Sequence, residues 1–403
     1  MKQPLALADI QQAYHAMANI VHHTSLDKST TFSNMAGYDV YLKLENLQKT
    51  GSFKIRGAYN KIHSLSNEEK AKGVIAASAG NHAQGVAYAA RMANIKSTIV
   101  MPENAPLAKV MATRAYGAEV VLSGMVYDDA FQKAQELEKE QGQTFIHAFN
   151  DNHVIAGQGT IGLEILETLE DVSAIVVPIG GGGLIAGIAL AVKELAPHVK
   201  IYGVQAQGAP AMYMSKKSHT RKTTPDAVTI ADGIAVKVPG DLTFEIIEKY
   251  VDDIVVVDDE AIASTILMML ERAKLMVEGA GAVGLAAILN HKIPGKGKVV
   301  NIVSGGNVDV NFISRIIERG LVKAGRRIKI STLINDRPGI LQHLLTIIAD
   351  TRANVIHVWH DRIEQNVPIG KAVVEISLET RDVLHTEQIL TNLRQYGYNA
   401  RII

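Results

Sequence analysis

Residues Thr50–Gly57 read T-G-S-F-K-I-R-G and place Lys54 between a glycine turn and the first turn of a helix. Apolar side chains follow it at helical spacing, at Ile55, Ala58, Tyr59, Ile62 and Leu65. Thr50 or Ser52 is expected to cap this helix, since a hydroxyl accepts from an orphan backbone N–H. The positive end of a helix disfavours an ammonium, which suits a lysine that acts as nucleophile or Schiff base. On this stretch alone, a solvated lysine is the simpler interpretation.

The composition excludes several classes of function. Lysine plus arginine and aspartate plus glutamate both number 41 in 403 residues, so charge gives no reason to expect nucleic acid or an anionic membrane as partner. The absence of cysteine excludes disulfides and thiolate chemistry. Residues 1–20 do not resemble a secretory signal, and no apolar run reaches the ~18 residues of a membrane span. We therefore expect a soluble, cytoplasmic protein.

Short apolar strands alternate with helices along the first three quarters of the chain. The predicted strands are residues 39–44, 74–78, 97–101, 119–122, 144–149, 174–179, 201–205, 254–257 and 299–303. The predicted helices include residues 8–17, 82–94, 107–116, 127–141, 156–169, 184–195, 259–273, 282–289 and 311–319. Parallel strands need such crossovers, so we predict two α/β lobes with a crevice at the carboxyl ends of their strands. The polar segment 216–222 is predicted to be a solvated loop.

The last quarter of the chain has a different order of predicted strands and helices. After a short connector, Gly320–Arg326, the order strand, helix, strand, strand, helix, strand over residues 327–403 predicts a ferredoxin-like βαββαβ domain. Pro338 is expected at an early position of its first helix. His357, Trp359 and His360 are not spaced as a metal cluster, so a structural or interface role is expected for them.

Four consecutive glycines, Gly180–Gly183, follow a predicted strand and open a helix. Such a loop can point its backbone N–H groups at a phosphate, although a tight turn is the alternative. Gly181, Gly183 and Ala186 fit a dinucleotide pattern, but the next strand ends at Gln205, where an acidic residue should hold a ribose. A small phosphorylated cofactor fits better.

Three further glycine-rich turns lie at the ends of predicted elements: residues 78–82 (S-A-G-N-H), 278–282 (E-G-A-G-A) and 304–307 (S-G-G-N). The first can receive a carboxylate through backbone N–H groups and the Ser78 hydroxyl. His82 alone is more often a packed histidine than a catalytic base. Each turn by itself is more simply structural, but together with Lys54 they describe one site.

These motifs, in this order, resemble the fold-type II pyridoxal-phosphate enzymes, and among them the threonine dehydratases (threonine ammonia-lyases). Serine racemase and serine dehydratase are close relatives. The resemblance covers about residues 5–320. It implies a catalytic region, 1–320, with a smaller lobe of about residues 50–150 inserted in a larger lobe of 1–49 and 151–320. The tail, 321–403, with N-D-R-P-G-I-L at 335–341, resembles an ACT domain, a small amino-acid-sensing module.

The resemblance assigns a role to each motif. Lys54 would hold pyridoxal phosphate covalently and remove the Cα proton. Phe53 would lie against the cofactor ring, Asn81 would bond its 3-oxygen and Ser304 its nitrogen. The phosphate would be bound by the backbone of Gly180, Gly181, Gly182, Gly183 and Leu184. The substrate carboxylate would be bound by Ser78, Ala79, Gly80, Asn81 and His82.

The implied reaction is deamination of L-threonine to 2-oxobutanoate and ammonia by β-elimination, with L-serine as a side substrate. Gln205–Ala211 lacks the carboxylates that hold a divalent cation in some relatives, so no such metal is expected, while a monovalent cation stays open. Serine racemase or serine dehydratase activity is one alternative, and a catalytically inert amino-acid sensor is another. The resemblance also implies a homodimer or homotetramer. The effector of the ACT domain (isoleucine, valine or another amino acid) stays open.

Overall fold

The structure is a computed structural model that describes residues 4–363 and 367–403. The chain divides into two compact units, Met1–Val308 and Asp309–Ile403. Residues 1–3 of the predicted catalytic region lie outside the described residues. The predicted connector Gly320–Arg326 is helical as far as Lys323, because a helix runs over Val310–Lys323 in the second unit.

The first unit alternates helices with short strands. Its helices are α1 (Leu7–Met17), α2 (Thr30–Ala36), α3 (Lys54–His63), α4 (Asn67–Lys72), α5 (Asn81–Met92), α6 (Leu107–Ala115), α7 (Tyr127–Gln141), α8 (Asn152–Thr168), α9 (Gly183–Leu195), α10 (Ala211–Ser218), α11 (Asp241–Tyr250), α12 (Asp259–Met268) and α13 (Gly279–Leu289). Its strands are β1 (Leu26–Lys28), β2 (Asp39–Lys43), β3 (Val74–Ala77), β4 (Ser97–Met101), β5 (Glu119–Leu122), β6 (Thr144–Phe145), β7 (Val172–Pro178), β8 (Lys200–Ala206), β9 (Asp253–Val257) and β10 (Lys298–Ile302).

These strands form two sheets. The smaller is fully parallel, in the order β5-β4-β3-β6, and the larger has the order β1-β2-β10-β7-β8-β9. Only β1 runs antiparallel to its neighbour in the larger sheet. Apolar clusters fill the space between each sheet and its helices. The prediction of an α/β fold with parallel or mixed sheets wrapped by helices is confirmed.

The second unit has one four-stranded sheet. Its elements are α14 (Val310–Lys323), β11 (Arg327–Asn335), α15 (Ile340–Asp350), β12 (Asn354–Asp361), β13 (Lys371–Glu379), α16 (Val383–Gln395) and β14 (Arg401–Ile402). The sheet is antiparallel with the order β12-β13-β11-β14, as in ferredoxin-like domains. The predicted βαββαβ order is confirmed. Pro338 lies in the turn before α15, which begins after Gly339 (φ +85°), and not inside the helix as predicted.

Several local predictions were wrong for physical reasons. Neither Thr50 nor Ser52 caps α3, because the helix begins at Lys54 with Phe53 in the N-cap position. The 216–222 segment is helical as far as Ser218, since Met212 and Ser215 are buried. The strand predicted at 144–149 ends at Phe145. Among the described helices and strands of the first unit, β1, α2, α10 and α11 were not predicted.

A buried ion network lies behind α3. The Arg56 guanidinium bonds both oxygens of Glu45 (2.9 and 2.7 Å) and both oxygens of Glu164 (2.6 and 3.0 Å). Lys43 Nζ completes the group at 2.6 Å from Glu164 Oε2. All four side chains are buried. Two positive and two negative charges cancel there, and the network joins β2, α3 and α8.

Arg56→Ala is expected to destabilise the first unit by about 3–5 kcal/mol, because it leaves two buried carboxylates with one cation. Unfolding in urea, followed by far-ultraviolet circular dichroism, measures the change. Lys28→Ala is the matched control, since the Lys28–Asp39 pair is solvent-exposed and its loss should leave the transition in place. Equal transitions for the two variants would show that the network does not hold α3.

Candidate active site

Lys54 is the first residue of α3 and lies next to the C-terminal end of β10. The Phe53 N–H donates to the Ser304 carbonyl oxygen at 3.1 Å, which fixes the start of the helix there. Lys54 Nζ donates to the Ala148 carbonyl oxygen at 2.9 Å and lies 5.2 Å from the centre of the Phe53 ring. Burial lowers the pKa of Lys54 to about 8, and the nearby Glu278 opposes that shift. The amine is therefore far easier to deprotonate than a solvated lysine.

The tetraglycine loop connects β7 to α9. Gly182 has φ +98°, a backbone conformation that favours glycine. A Cβ on Gly181 would lie 2.4 Å from the Phe149 ring, so a side chain there would displace that ring. Within the described part of the chain, the N–H groups of Gly180–Leu184 have no protein acceptor. Buried N–H groups at a helix N-terminus form a ready anion site.

Residues 147–150 link the lysine to the glycine loop, a connection that the sequence did not indicate. Ala148 accepts from Lys54, and the next residue, Phe149, packs against the loop. His147 Nδ1 accepts the N–H groups of Phe149 and Asn150 at 3.2 and 2.9 Å, which turns the chain after β6. Burial and the nearby Lys54 lower the pKa of His147 to about 4, so this acceptor nitrogen stays unprotonated.

The turn at residues 78–82 begins α5. Ser78 Oγ accepts the Gly80 N–H at 3.2 Å, and the space beside Gly80 is open. The His82 side chain is buried, and its Nε2 donates to the Ile146 carbonyl oxygen at 2.8 Å. Burial lowers the pKa of His82 to about 3, with Lys54 adding to the effect. The imidazole is thus neutral with its one N–H donated to Ile146, so only the backbone N–H of His82 can donate to a ligand.

Asn81 makes side-chain contacts with the two other turns. Its Nδ2 donates to Glu278 Oε1 at 2.6 Å, and its Oδ1 accepts from Asn307 Nδ2 at 2.9 Å. Glu278 is buried, and burial raises its pKa to about 8, while Asn81 lowers it. The structure therefore brings all the motifs chosen from the sequence into one region. The pairing of Asn81 with Glu278 and Asn307 was not predicted.

Ser304 lies at the end of β10 and is almost fully buried. Its carbonyl oxygen accepts a hydrogen bond from the Phe53 N–H. Its hydroxyl has no hydrogen-bond partner among the described residues. The hydroxyls of Thr50 and Ser52 in the adjoining loop are likewise buried without a partner in the described chain. Unsatisfied buried hydroxyls beside a buried lysine are typical of a site shaped for a polar ligand.

Comparison with known proteins gives the family. A family model described as "Pyridoxal-phosphate dependent enzyme" matches residues 18–305. The chain belongs to this family. It is 54% identical to an L-threonine ammonia-lyase of Thermotoga maritima over 99% of this chain and 100% of the relative. It is 51% identical to one of Geobacter sulfurreducens over 98% of each chain. The structure of maize serine racemase, 38% identical, matches 80% of this chain and 99% of its own with a TM-score of 0.75.

The residues present fit pyridoxal phosphate, the cofactor of this family. Its phosphate is an anion, for which the free N–H groups of Gly180–Leu184 are suited, and its aldehyde reacts with a lysine amine such as that of Lys54. In the described residues, no group of three or more acidic or histidine side chains is placed to hold a metal ion. Among the described helices, none has the length and apolarity to traverse a bilayer.

The rate of loading the cofactor-free protein with pyridoxal phosphate is expected to rise with pH around a midpoint near 8, because only the neutral Lys54 amine reacts. Stopped-flow absorbance across pH 6–11 measures it, with Lys54→Ala as the blank. Glu278→Gln should move the midpoint to lower pH, since the Glu278 charge raises the pKa of Lys54. A midpoint near that of a free lysine would contradict the burial of this amine.

Proposed function

We propose that this protein is an L-threonine ammonia-lyase that converts L-threonine to 2-oxobutanoate and ammonia. The reaction consumes no net water, because the water lost with the β-hydroxyl is regained when the enamine is hydrolysed. Two relatives that match nearly the whole chain, from Thermotoga maritima and Geobacter sulfurreducens, bear that name. L-Serine, which carries the same leaving group without the methyl, is the expected second substrate and would give pyruvate.

The main observation behind this proposal is the connection between Lys54 and the tetraglycine loop. Lys54 Nζ bonds Ala148, and the adjacent Phe149 packs on Gly181. A cofactor with an aldehyde at one end and a phosphate at the other needs a lysine and an anion site at a fixed separation. The short segment 147–150 supplies that fixed separation.

Each residue of the site takes a role in this proposal. Lys54 would hold the cofactor through its amine and would take the proton from the substrate Cα. Phe53 would lie against the cofactor ring, Asn81 would donate to the ring oxygen, and Ser304 would offer its hydroxyl to the ring nitrogen. The phosphate would be held by the backbone of Gly180, Gly181, Gly182, Gly183 and Leu184. When bound, pyridoxal phosphate supplies an electron sink that acidifies the Cα proton.

The substrate carboxylate is proposed to bind at the turn before α5. The N-terminus of α5 and the N–H groups of Ala79, Gly80 and Asn81 favour an anion, and Ser78 adds a hydroxyl. His82 contributes its backbone alone, since its ring is engaged with Ile146. Binding there holds the substrate Cα near Lys54, whose lowered pKa lets the amine accept a proton at neutral to mildly alkaline pH.

The holoenzyme is expected to release ammonia and 2-oxobutanoate from L-threonine, and Lys54→Ala should abolish both this turnover and the visible absorbance of lysine-bound cofactor. Coupled 2-oxoacid reduction and absorbance spectra measure the two effects. Gln143→Ala, a buried substitution in the smaller sheet, is the control. A holoenzyme that releases ammonia from neither L-threonine nor L-serine would refute the proposal.

Racemisation is the second candidate function, because the structure resembles maize serine racemase. In both activities the lysine removes the Cα proton. In elimination the β-hydroxyl then leaves, whereas in racemisation a proton returns to Cα. Chiral analysis of L-serine incubations separates them: accumulation of D-serine favours racemisation, and accumulation of pyruvate favours elimination. An inert sensor would give neither product.

For the second unit we propose an ACT-type regulatory domain that binds an amino acid. The support is its ferredoxin-like topology and the left-handed Gly339, which ends the loop between β11 and α15. Strands β12 and β14 form the edges of its sheet and offer unpaired backbone groups, which is consistent with the proposed homodimer or homotetramer.

Amino-acid binding to this unit is expected to change the fluorescence of Trp359, the only tryptophan in the sequence. Trp359 lies on β12, is 45% exposed and stacks near His357 with the Lys329 ammonium 4.7 Å from its ring. Titration of the full-length holoenzyme with isoleucine, valine and threonine, with calorimetry in parallel, tests this. Absence of heat and of fluorescence change with all three would count against a regulatory site for these effectors.

A further inference from the structure

The Asn81 amide belongs to a chain of hydrogen bonds that starts at a backbone carbonyl. Asn307 Nδ2 donates to the Thr50 carbonyl oxygen at 2.7 Å and to Asn81 Oδ1 at 2.9 Å. Asn81 Nδ2 then donates to Glu278 Oε1 at 2.6 Å. This relay (Thr50 carbonyl, Asn307, Asn81, Glu278) joins the lysine loop to the three other glycine-rich turns.

The direction of the hydrogen bonds along the relay is fixed by which groups can donate and which can only accept. A carbonyl oxygen only accepts, so Asn307 must turn its NH2 group toward Thr50. That NH2 group also faces Asn81, which must therefore present its oxygen to Asn307 and its NH2 group to Glu278. An amide has two N–H donors, and one of those on Asn81 remains for a ligand. The free group is thus a donor and not an acceptor.

Close packing holds the far end of the relay. A Cβ on Gly305 would lie 2.3 Å from Glu278 Oε1 and 3.2 Å from Asn81 Nδ2, so only glycine leaves room for this contact. The Glu278 N–H also donates to the Gly305 carbonyl oxygen at 3.1 Å. Gly305 follows Ser304, whose hydroxyl has no partner within the described residues.

We propose that Glu278 and Asn307 are positioning residues, which hold the Asn81 amide so that its remaining N–H is offered to an oxygen of the bound cofactor. This inference rests on the proposed function, in which Asn81 contacts pyridoxal phosphate. Glu278 accepts from Asn81 whether its carboxyl is ionised or not, so the relay persists across the pH range in which Glu278 titrates. Asp232, Lys109 and Lys54 are the other charged groups that act on Glu278.

Cofactor affinity tests the proposal without reliance on turnover. Equilibrium dialysis of the full-length apoprotein with pyridoxal phosphate should show about ten- to hundredfold weaker binding for Glu278→Ala and for Asn307→Ala, because each frees or misdirects the Asn81 donor. Gln143→Ala, which removes a buried 3.1 Å hydrogen bond to Thr98 in the smaller sheet, is the control and should bind as wild type. Unchanged affinity in both alanine variants overturns the proposal.

A double-mutant cycle separates positioning from general damage. If Glu278 and Asn307 act through Asn81, their alanine substitutions should cost less than about threefold in cofactor affinity once Asn81 is already alanine. Losses that simply multiply in the Asn81→Ala background would show that the residues act independently, and this would also overturn the proposal.

Near-isosteric variants cover the case in which an alanine variant fails to fold. Glu278→Gln keeps an acceptor for Asn81 and should retain affinity within about threefold. Asn307→Asp replaces donors with acceptors that face the Thr50 and Asn81 oxygens, and it should bind at least about tenfold more weakly. The reverse ranking contradicts the relay. A protein that binds pyridoxal phosphate in this ranking yet deaminates neither threonine nor serine would refute the proposed function alone.

Discussion

The buried contact between Arg56 and its two glutamates is the interaction on which the site depends. Arg56 lies two residues after Lys54 on α3, and residues two apart point to opposite sides of a helix. The guanidinium bonds Glu45 and Glu164 on one side of α3, which directs Lys54 toward the other. A buried pair seldom adds net stability over apolar packing, but its geometry is demanding, and here that geometry sets the rotation of α3.

Anion binding in this site relies on backbone dipoles more than on charged side chains. The N-termini of α3, α5 and α9 all lie near Lys54. The histidines nearby have lowered pKa values and are neutral, and burial moves the pKa values of Lys54 and Glu278 toward each other, each to about 8. Near pH 8 the Lys54 amine is partly neutral, so backbone dipoles could bind a phosphate and a carboxylate while this amine serves as the base.

The sequence predicted what depends on local pattern. Strand and helix alternation led to the two sheets of the first unit, whose strands are parallel except for β1. The pairing of Asn81 with Glu278 and Asn307 could not be predicted, because it joins residues far apart in the chain whose side chains give no periodic signal. The same holds for Arg56 and Glu164. The predicted cap at Ser52 was wrong because Phe53 occupies the N-cap position, while the Ser52 backbone forms a bridge with Gly305, far away in the chain.

The tetraglycine run also has a packing role that its sequence did not indicate. The sequence pattern predicted a phosphate site at these four glycines, with a tight turn as the alternative. The structure divides their roles: Gly182 adopts a positive φ with Ile247, Met212 and Thr243 close on one side, while Gly181 and Gly183 accommodate Phe149. A side chain at Gly181 would displace Phe149, and with it the Ala148 carbonyl that holds Lys54. The glycines therefore shape the lysine end of the site as well as the anion end, which explains a run longer than a turn requires.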